Sequence, residues 1–509
     1  MKNNRRDFIK QTLVTTTYLN VLLQASYGGY KKRDVRRQRP NIIFLMSDQQ
    51  RWDYVGKINP GVKTPALDKV AEDGVIFDQA VCQAPMCVPS RYSLMLGLYP
   101  TQIGVQRNDQ YVPDYNLPSD TIAQALSKAG YQTAGFGKTH WCDKGCSTRG
   151  FEVRYVGQPR DSILYEKNAI MMGDANPDGL ARYREEVKDY GAGGEGIKGY
   201  IGCTSKVKEE DHRDGWVFNQ CLKFIDNGID EDRPLFLYLS FLAPHAGHNV
   251  PEGFEGLYNI ENMPVPPQPE KDMVEPCHAS GFNRDDMYID FWSKADKKLW
   301  QQMILRYRAN CSWIDSMFGR VMDKLESKGI LDNCLIVYIS DHGEMLGERY
   351  YRFNKYCLYE SSVRVPVIIG GTVVEKALKG GRDHRPVELV DIYPTILNAA
   401  GETASSKLMG NDLLGDIERE AAFCEFHENP NTKSYMWRKK DYKLIVTVPN
   451  CTNIYGFKLE DIIEGEFYHI AVDNQEWNNL YSDENHSAIR DQMCNELISH
   501  LNKYMRYCS

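Results

Sequence analysis

Long runs of apolar residues recur along the chain and predict buried strands. The first run, NIIFLMS, begins at Asn41 and ends directly before Asp48. Comparable runs begin at Leu235 (LFLYLSFLAP), Leu335 (LIVYIS) and Val365 (VPVIIGG). A strand without polar alternation is buried on both faces, which is typical of the interior of a parallel sheet. We therefore expect these segments to be interior strands.

Helical patterns lie between the apolar runs. The segment SDTIAQALSKAG opens with Ser119, which can cap a helix, carries Ile122 and Leu126 in helical spacing, and stops at Gly130. Alternation of strands and helices predicts an open α/β sheet. Residues 151–300 contain glycine and proline clusters and show weak periodicity. We interpret them as insertions around the rim of the sheet.

The C-terminal part of the chain has a different pattern. Strand-like runs begin at Ala421 (AAFCEF), Tyr442 (YKLIVTV) and Glu466 (EFYHIAV), and a helical pattern extends from about Ser487 to Met505. This order favours a small antiparallel sheet packed under a helix. The predicted fold is therefore α/β, with a large mixed, mostly parallel sheet flanked by helices and a smaller C-terminal antiparallel sheet plus helix.

Four segments follow from these patterns. We predict an export signal at 1–30, a linker at 31–40, a catalytic α/β domain at 41–400 and a C-terminal α+β subdomain at 401–509. Residues 4–11, NRRDFIKQ, precede a mildly apolar stretch and resemble a twin-arginine signal. Such a signal implies a periplasmic or otherwise exported protein, and a merely basic tail is the alternative.

Composition narrows the range of functions. Of the 509 residues, 42% are hydrophobic and 26% are charged, and the formal net charge is −8. No apolar run is long enough to span a bilayer, so integral membrane association is not expected. The negative charge disfavours a nucleic-acid surface, and an anionic substrate would need a local basic pocket.

The 14 cysteines are scattered and form no dense framework of disulfides. Most are interpreted as small buried apolar residues. The close pairs are Cys82 with Cys87 and Cys142 with Cys146, and they lack the spacing and histidine partners of a zinc site.

Polar residues suited to catalysis follow the ends of the predicted strands, including the strand QTAGF. They are, in chain order, Asp48, Lys138, His140, His245, Asp341 and His342. In an open α/β sheet the ligand site gathers at the carboxyl ends of the strands. These sequence-distant residues are therefore expected to converge on one rim.

The most informative motif is CVPSRYSLMLGLYPTQIG, which begins at Cys87 with Cys, Pro and Arg at positions one, three and five. It resembles the signature of type I sulfatases, the formylglycine-dependent enzymes of the alkaline phosphatase superfamily. The resemblance implies that a maturation enzyme oxidises Cys87 to formylglycine. One hydroxyl of the hydrated aldehyde would attack sulfur, and the other would lose its proton and expel sulfate.

The same motif also predicts the start of a helix. Pro89 can begin a helix whose N-terminus favours a developing anion, and Arg91, one turn later, can hold an oxygen of the diol. A structural cysteine that caps a helix is the alternative for this string taken alone.

Two further strings resemble the metal-binding pairs of the family. They are SDQQR, with Asp48 and Gln49, and SDHGE, with Asp341 and His342, and Cys87 would complete the site. Many members have a second aspartate where this chain has Gln49, so the ligand there is an amide oxygen or is absent. Hard cations prefer carboxylates, so calcium is the first choice for one divalent ion, and the histidine keeps manganese and magnesium open.

A sulfate group requires fixed cations around its oxygens. GKTH resembles the GKxH element of the family, and RFNKYCLYESSVRVP contains Lys355. The resemblance implies that Lys138 and Lys355 contact sulfate and that His140 bonds the diol and accepts its proton. His245, in APHAGH, would protonate the leaving alcohol, although Gly247 stands where proline is common.

The resemblance covers nearly the whole chain from Asn41, because VELVDIYPTILNAAG and EFYHIAVDNQEWNNL also resemble segments of the family. Candidate substrate contacts are chosen from predicted rim loops, which carry specificity. They are Arg107, Asn108, Trp141, His248 and His427.

The predicted function is hydrolysis of a sulfate ester on a small molecule or, preferably, a carbohydrate. Two alternatives stay open. The Asp-Gln and Asp-His pairs also resemble those of phosphonate monoester and phosphodiester hydrolases that use formylglycine. If Cys87 is not oxidised, a non-catalytic glycan-binding relative is the further alternative.

Overall fold

The computed structural model describes residues 39–141, 146–190, 196–270, 278, 286–405, 408–416, 419–427, 429–452 and 457–504. The predicted export signal, most of the predicted linker and Cys142 lie outside the described residues. No helix in the described part of the chain is both long and apolar enough to cross a bilayer.

The described strands belong to one large sheet, one four-stranded sheet and two small ladders. In chain order they are β1 Asn41–Asp48, β2 Val75–Phe77, β3 Ala80–Val81, β4 Gln132–Gly137, β5 Val153–Val156, β6 Ile170–Met171, β7 Cys203–Ser205, β8 Leu235–Pro244, β9 Asn249–Pro251, β10 Cys334–Ser340, β11 Val367–Gly370, β12 Gly381–Asp383, β13 Val387–Glu388, β14 Ala422–Phe426, β15 Thr432–Arg438, β16 Lys443–Pro449 and β17 Glu464–Tyr468.

The α-helices of the described residues range from single turns to one helix of more than eight turns. In chain order they are Pro65–Glu72, Cys87–Leu96, Pro100–Ile103, Ile122–Lys128, Met172–Ala175, Pro177–Val187, Ile197–Ile201, Arg213–Asn227, Asp286–Trp292, Lys297–Ser327, Glu348–Tyr351, Glu360–Val363, Ile392–Ala399 and Ser487–Tyr504.

The large sheet has nine strands in the order β12-β2-β11-β10-β1-β8-β4-β5-β6. Its neighbouring strands are parallel except at β11, which runs antiparallel to both β10 and β2. This arrangement confirms the predicted mixed, mostly parallel sheet.

Helices cover both faces of this sheet, which explains the unbroken apolar runs. In β1, Ile42 and Phe44 pack into the layer that holds the helices Cys87–Leu96 and Ile122–Lys128. Ile43, between them, packs into the opposite layer, which is built on the long helix Lys297–Ser327 and the helix Arg213–Asn227. A strand buried on both faces cannot accept polar residues until it ends, so its polar groups collect at its carboxyl end.

The four strands β14 to β17 form a separate antiparallel sheet in sequential order. One face packs against the helix Ser487–Tyr504, where Leu497 and Leu501 meet Phe423 and Leu444 of the sheet. This confirms the predicted small sheet and helix. The boundary between the two domains near residue 401 stays a prediction.

Three details of the sequence analysis were wrong. Besides the predicted strand β8, residues 151–300 supply β5 and β6 to the main sheet and the helix Arg213–Asn227 that packs on it, so they are not only rim insertions. The predicted strand EFYHIAV ends at Tyr468 and is followed by a turn. The helix predicted from Ser119 is capped by Thr121, whose hydroxyl accepts the Gln124 N–H.

Candidate functional site

The site lies at the carboxyl ends of three adjacent strands. The parallel register pairs Ser47 of β1 with Ser340 of β10, so the chain leaves both strands at the same level. Asp48 and Asp341 therefore emerge side by side on neighbouring strands. On the other side of β1, β8 ends at Pro244, directly before His245, and is aligned with Asp48.

Cys87 faces these two aspartates from the first residue of the helix Cys87–Leu96. Its Sγ lies 3.1 Å from Nε2 of His342 and 3.8 Å from Oδ1 of Asp48. One donor atom from each of Asp48, Cys87, Asp341 and His342 lies within 4.8 Å of the others, and all four residues are buried. The helix N-terminus adds its positive dipole end to this cluster.

The donor set fits a hard divalent cation. Two carboxylates and an imidazole nitrogen converge in a volume from which water is largely excluded. The ring of His342 is oriented by its Nδ1, which lies 3.0 Å from the Gly343 carbonyl oxygen and leaves Nε2 facing the cluster. The backbone N–H groups of Gln49 and His342 each donate to Oδ1 of Asp341 at 3.0 Å.

Arg91 ties the two carboxylates together. Its Nε donates to Asp341 Oδ2 at 2.7 Å, and a terminal nitrogen donates to Asp48 Oδ2 at 2.9 Å. Burial by itself would lower the pKa of Arg91, but Asp341 and Asp48 raise it above its usual value. Burial likewise opposes ionisation of Asp48, yet Lys138 and Arg91 hold the pKa of that carboxyl well below its usual range. Both ionised partners therefore persist in the interior.

Two lysines and two histidines surround this cluster. The Lys138 Nζ lies 2.6 Å from Asp48 Oδ2. On the other side, Lys355 Nζ lies 3.1 Å from His245 Nε2 and donates to Gln49 Oε1 at 2.8 Å. Burial, then Lys138 and Arg91, lower the pKa of His140 well below its usual value. The ring of His140 is therefore neutral near pH 7.

His140 differs from the other site residues in its hydrogen bonding. It is 8% exposed, has a left-handed backbone with φ 61°, and neither of its ring nitrogens has a hydrogen-bond partner among the described residues. Burying an imidazole without hydrogen-bond partners costs folding free energy unless a ligand supplies those partners. This position therefore suits a group that bonds a substrate or a modified side chain.

Of the five candidate substrate contacts, Asn108 lies at the cluster. Its Oδ1 accepts the Val88 N–H at 3.1 Å, at the start of the helix Cys87–Leu96, and its Nδ2 lies 3.3 Å from the Tyr356 hydroxyl. Arg107 is half-buried beside it and pairs with Asp109 at 3.1 Å.

The other three candidates pack inside the protein. Trp141 is 2% exposed and packs edge-on against Tyr92 at 5.5 Å. His248 is fully buried, its Nδ1 lies 2.9 Å from the Tyr200 carbonyl oxygen, and burial lowers its pKa to about 3. His427 follows β14 in the small sheet, where its Nε2 lies 2.9 Å from Glu425. Their predicted contacts with substrate stay predictions.

Sequence reasoning assigned no role to two residues that organise the site. Glu344, within the string SDHGE, is fully buried and accepts a hydrogen bond from the Gln49 side chain. Asp214 accepts the N–H groups of Leu242 and Ala243, both at 2.9 Å, and so fixes the end of β8 before His245. A carboxylate beside the metal-binding motif was the available signal for Glu344, whereas Asp214 lies in a helix far along the chain.

Known proteins are similar to this chain in sequence and in fold. Residues 40–402 match the profile of the sulfatase family, and residues 347–503 match that of the C-terminal region of N-sulphoglucosamine sulphohydrolase. An arylsulfatase of Clostridium perfringens is 28% identical, with 91% of this chain and 94% of the relative covered. An N-acetylglucosamine-6-O-sulfatase of Bacteroides thetaiotaomicron is 26% identical, with 91% and 86% covered.

A solved structure shows the same fold. The phosphonate monoester hydrolase of Agrobacterium radiobacter has a TM-score of 0.70 and 20% identity, with 92% of this chain and 96% of that chain covered. The family profile and the sulfatase relatives, together with this fold, identify a hydrolase of the alkaline phosphatase superfamily. Since the family profile matches most of the chain, the protein belongs to the sulfatase family and is a type I sulfatase, a sulfuric ester hydrolase.

Proposed function

We propose that the protein hydrolyses a sulfate ester of a carbohydrate, with formylglycine derived from Cys87 as the nucleophile and one divalent metal ion. The observation that carries this proposal is the convergence of Asp48, Cys87, Asp341 and His342 within 4.8 Å at the strand ends. The Sγ atom of Cys87 stands where an oxygen of the hydrated aldehyde would lie.

The metal ion would be held by Asp48, Asp341 and His342, with the oxidised residue 87 as a further ligand. Two carboxylates favour calcium, and the imidazole keeps manganese or magnesium as alternatives. When bound, the ion would lower the pKa of the hydroxyl that attacks sulfur. Gln49 is proposed as an additional ligand from its place next to Asp48, and its side-chain oxygen accepts a hydrogen bond from Lys355 at 2.8 Å.

The protein's own groups account for charge and proton movement. Lys138 and Lys355 would neutralise the charge on the sulfate oxygens, and Arg91 would hold both aspartates in place. One hydroxyl of residue 87 would release its proton to solvent, and its oxygen would bond to sulfur as the bond between sulfur and the alcohol oxygen breaks. His245, once protonated, would give a proton to the leaving alcohol. His140, neutral near pH 7, would then take the proton of the second hydroxyl while the carbonyl re-forms and the carbon–oxygen bond to sulfate breaks.

A carbohydrate substrate is supported by the relative that is named as an N-acetylglucosamine-6-O-sulfatase. Asn108 is the proposed contact nearest the nucleophile, since it bonds the backbone next to Cys87. Arg107, Trp141, His248 and His427 are retained as proposed contacts of lower priority, because three of them pack inside the protein.

Export and maturation complete the proposal. A twin-arginine signal at 1–30 would deliver a folded protein to the periplasm after a maturation enzyme has oxidised Cys87 in the cytoplasm. Residues 31–40 would be the linker, 41–400 the catalytic domain and 401–509 the C-terminal subdomain. Recovery of the mature protein from the cytoplasm with residues 1–25 intact would refute the export route.

The function is tested by comparing turnover of an aryl sulfate, a panel of sulfated saccharides and a phosphonate monoester. We expect the sulfate esters to have the higher kcat/KM and Cys87→Ala to abolish turnover. Cys82→Ala is the matched control, because Cys82 is also fully buried and lies five residues upstream outside the cluster. A large preference for the phosphonate would replace the proposed function by the phosphonate monoester hydrolase alternative.

A further inference from the structure

Glu344 is a buried carboxylate that accepts four hydrogen bonds. Its Oε2 accepts from the Gln49 side-chain amide and from the Tyr200 hydroxyl at 2.9 Å. Its Oε1 accepts the backbone N–H of Leu346 at 3.0 Å and that of Asn354. All four partners act as donors, and the two oxygens of Glu344 accept from two of them each.

The bond to Gln49 fixes the direction of that amide. Because the Gln49 Nε2 donates to Glu344, its Oε1 must point the opposite way, where it accepts from Lys355 Nζ at 2.8 Å. A flipped amide would place an NH₂ group against an ammonium. Glu344 thus determines that Gln49 presents an oxygen, not a donor, to the catalytic groups.

The same carboxylate also anchors the loop that carries Lys355. Between Leu346 and Tyr356 several non-glycine residues have positive φ, among them Leu346 at 50°, Asn354 at 71° and Tyr356 at 66°. Such backbone persists only when its surroundings over-determine it. Glu344 binds the N–H groups of Leu346 and Asn354, at the beginning and near the end of this loop, and Lys355 follows directly.

We propose that Glu344 is a positioning residue for sulfate recognition, acting on Lys355 through the loop backbone and through the Gln49 amide. The inference rests on the proposed function, because it takes Lys355 as a sulfate-binding cation. It gives Gln49 the partner that fixes which end of its amide faces Lys355. A glutamine amide needs a partner to orient it, whereas an aspartate presents an oxygen in either direction.

Glu344→Gln tests the proposal with little change in shape. In either orientation its amide nitrogen faces two donors, so either the loop N–H groups or the Gln49 amide lose their acceptor. Tyr200→Phe is the matched control, because it removes one donor to the same oxygen and leaves the carboxylate, Gln49 and the loop intact. Both variants are prepared as the full-length, metal-loaded protein and their thermal unfolding is recorded.

Two quantities are measured on the folded variants: kcat/KM for an aryl sulfate and the dissociation constant for inorganic sulfate by calorimetry. We expect Glu344→Gln to lower kcat/KM about 30-fold and to weaken sulfate binding about tenfold, the scale of a lost hydrogen bond to a charged group. Tyr200→Phe is expected to change each by less than about threefold. If Glu344 only stabilised the fold, the unfolding temperature would fall and the sulfate affinity of the folded protein would not.

Unchanged sulfate affinity in Glu344→Gln, or equal losses in both variants, would overturn the proposal. If Glu344→Gln does not fold, Glu344→Asp replaces it, since it keeps the charge but cannot reach both pairs of donors. We expect Glu344→Asp to weaken sulfate binding at least about threefold. An unchanged dissociation constant for sulfate in this variant would again overturn the proposal. Turnover by the wild-type protein distinguishes failure of the proposed function from failure of the Glu344 proposal. If the wild-type protein hydrolyses only a phosphonate ester, the proposed function fails. The kcat/KM of each variant relative to wild type, measured with that ester, then still tests Glu344.

Discussion

The Nζ atom of Lys355 lies 3.1 Å from Nε2 of His245, and the two residues come from positions 110 apart in the chain. An ammonium group has donors only, so the facing ring nitrogen acts as the acceptor in this contact. The proposed sulfate-binding cation and His245 are therefore in direct contact, and the ring nitrogen must gain a proton, from Lys355 or from solvent, before it can protonate the leaving alcohol.

This contact predicts that Lys355 and His245 do not act independently. Lys355→Met and His245→Gln are each expected to lower kcat/KM for an alkyl sulfate about 100-fold. The double variant should lose less than the product of the two effects, with a coupling of about 1–3 kcal/mol in a double-mutant cycle. Strictly additive losses would mean that the two side chains serve separate steps.

Metal removal provides a second prediction. Dialysis against a chelator should abolish turnover and lower the free energy of unfolding by about 3 kcal/mol relative to protein with ion at about 100 times its dissociation constant. Adding back calcium, manganese or magnesium separately shows which ion restores both quantities. Asp341→Asn should make unfolding insensitive to the chelator. Asp174→Asn, at an exposed ion pair with Arg160, should leave that sensitivity unchanged.

The buried triad of Arg91, Asp48 and Asp341 predicts a large stability effect. Arg91→Met leaves two buried carboxylates facing each other, so metal-free protein should lose about 3–5 kcal/mol of unfolding free energy. The control is Arg160→Met, which removes an exposed ion pair and should cost less than about 1 kcal/mol. Urea titrations of both variants at the same pH measure the difference, and equal small losses would contradict the prediction.

His212 predicts a loss of stability in acid. Burial lowers its pKa from 6.5 to about 3, so below pH 6.5 the unfolded chain binds a proton that the folded chain does not. The free energy of unfolding therefore falls as the pH drops from 7 to 5, and this one group contributes about 2 kcal/mol.

The variant that checks this is His212→Asn. Asparagine keeps an acceptor at the start of the helix Arg213–Asn227, where the His212 Nδ1 accepts the Asp214 N–H at 3.3 Å. Urea titrations at pH 7 and pH 5 should show a pH dependence smaller by about 2 kcal/mol in the variant. The same pH dependence in both proteins would mean that His212 is already protonated in the folded state or does not titrate.

The sequence predicted the central strands because they are buried on both faces. β1, β8 and β10 carry unbroken apolar runs, and their polar residues come where the strands end. The location of Asp48 and Asp341 at one rim follows from that rule and from the parallel register. In contrast, β6 is the edge strand and β5 lies next to it, and both are short with exposed or half-buried positions, so their apolar pattern is weak.

The side-chain network around the cluster was beyond sequence reasoning. Glu344 gains its role from Gln49, Tyr200 and Asn354, which reach it from three separate segments. Likewise, the sequence pattern does not predict that Trp141 and His248 are buried, because both lie in loops next to strand ends. The pattern of strands predicts where the rim of the sheet lies. Only the packing of side chains decides which residues of the rim face the cluster.

The most direct test of the account is the mass of the peptide that contains Cys87, taken from protein purified from its native host. Replacement of the CH₂SH group by CHO predicts a loss of about 18 Da relative to cysteine, together with turnover of a sulfate ester. An unaltered thiol at Cys87 in that protein would contradict the proposed mechanism and favour a non-catalytic glycan-binding role.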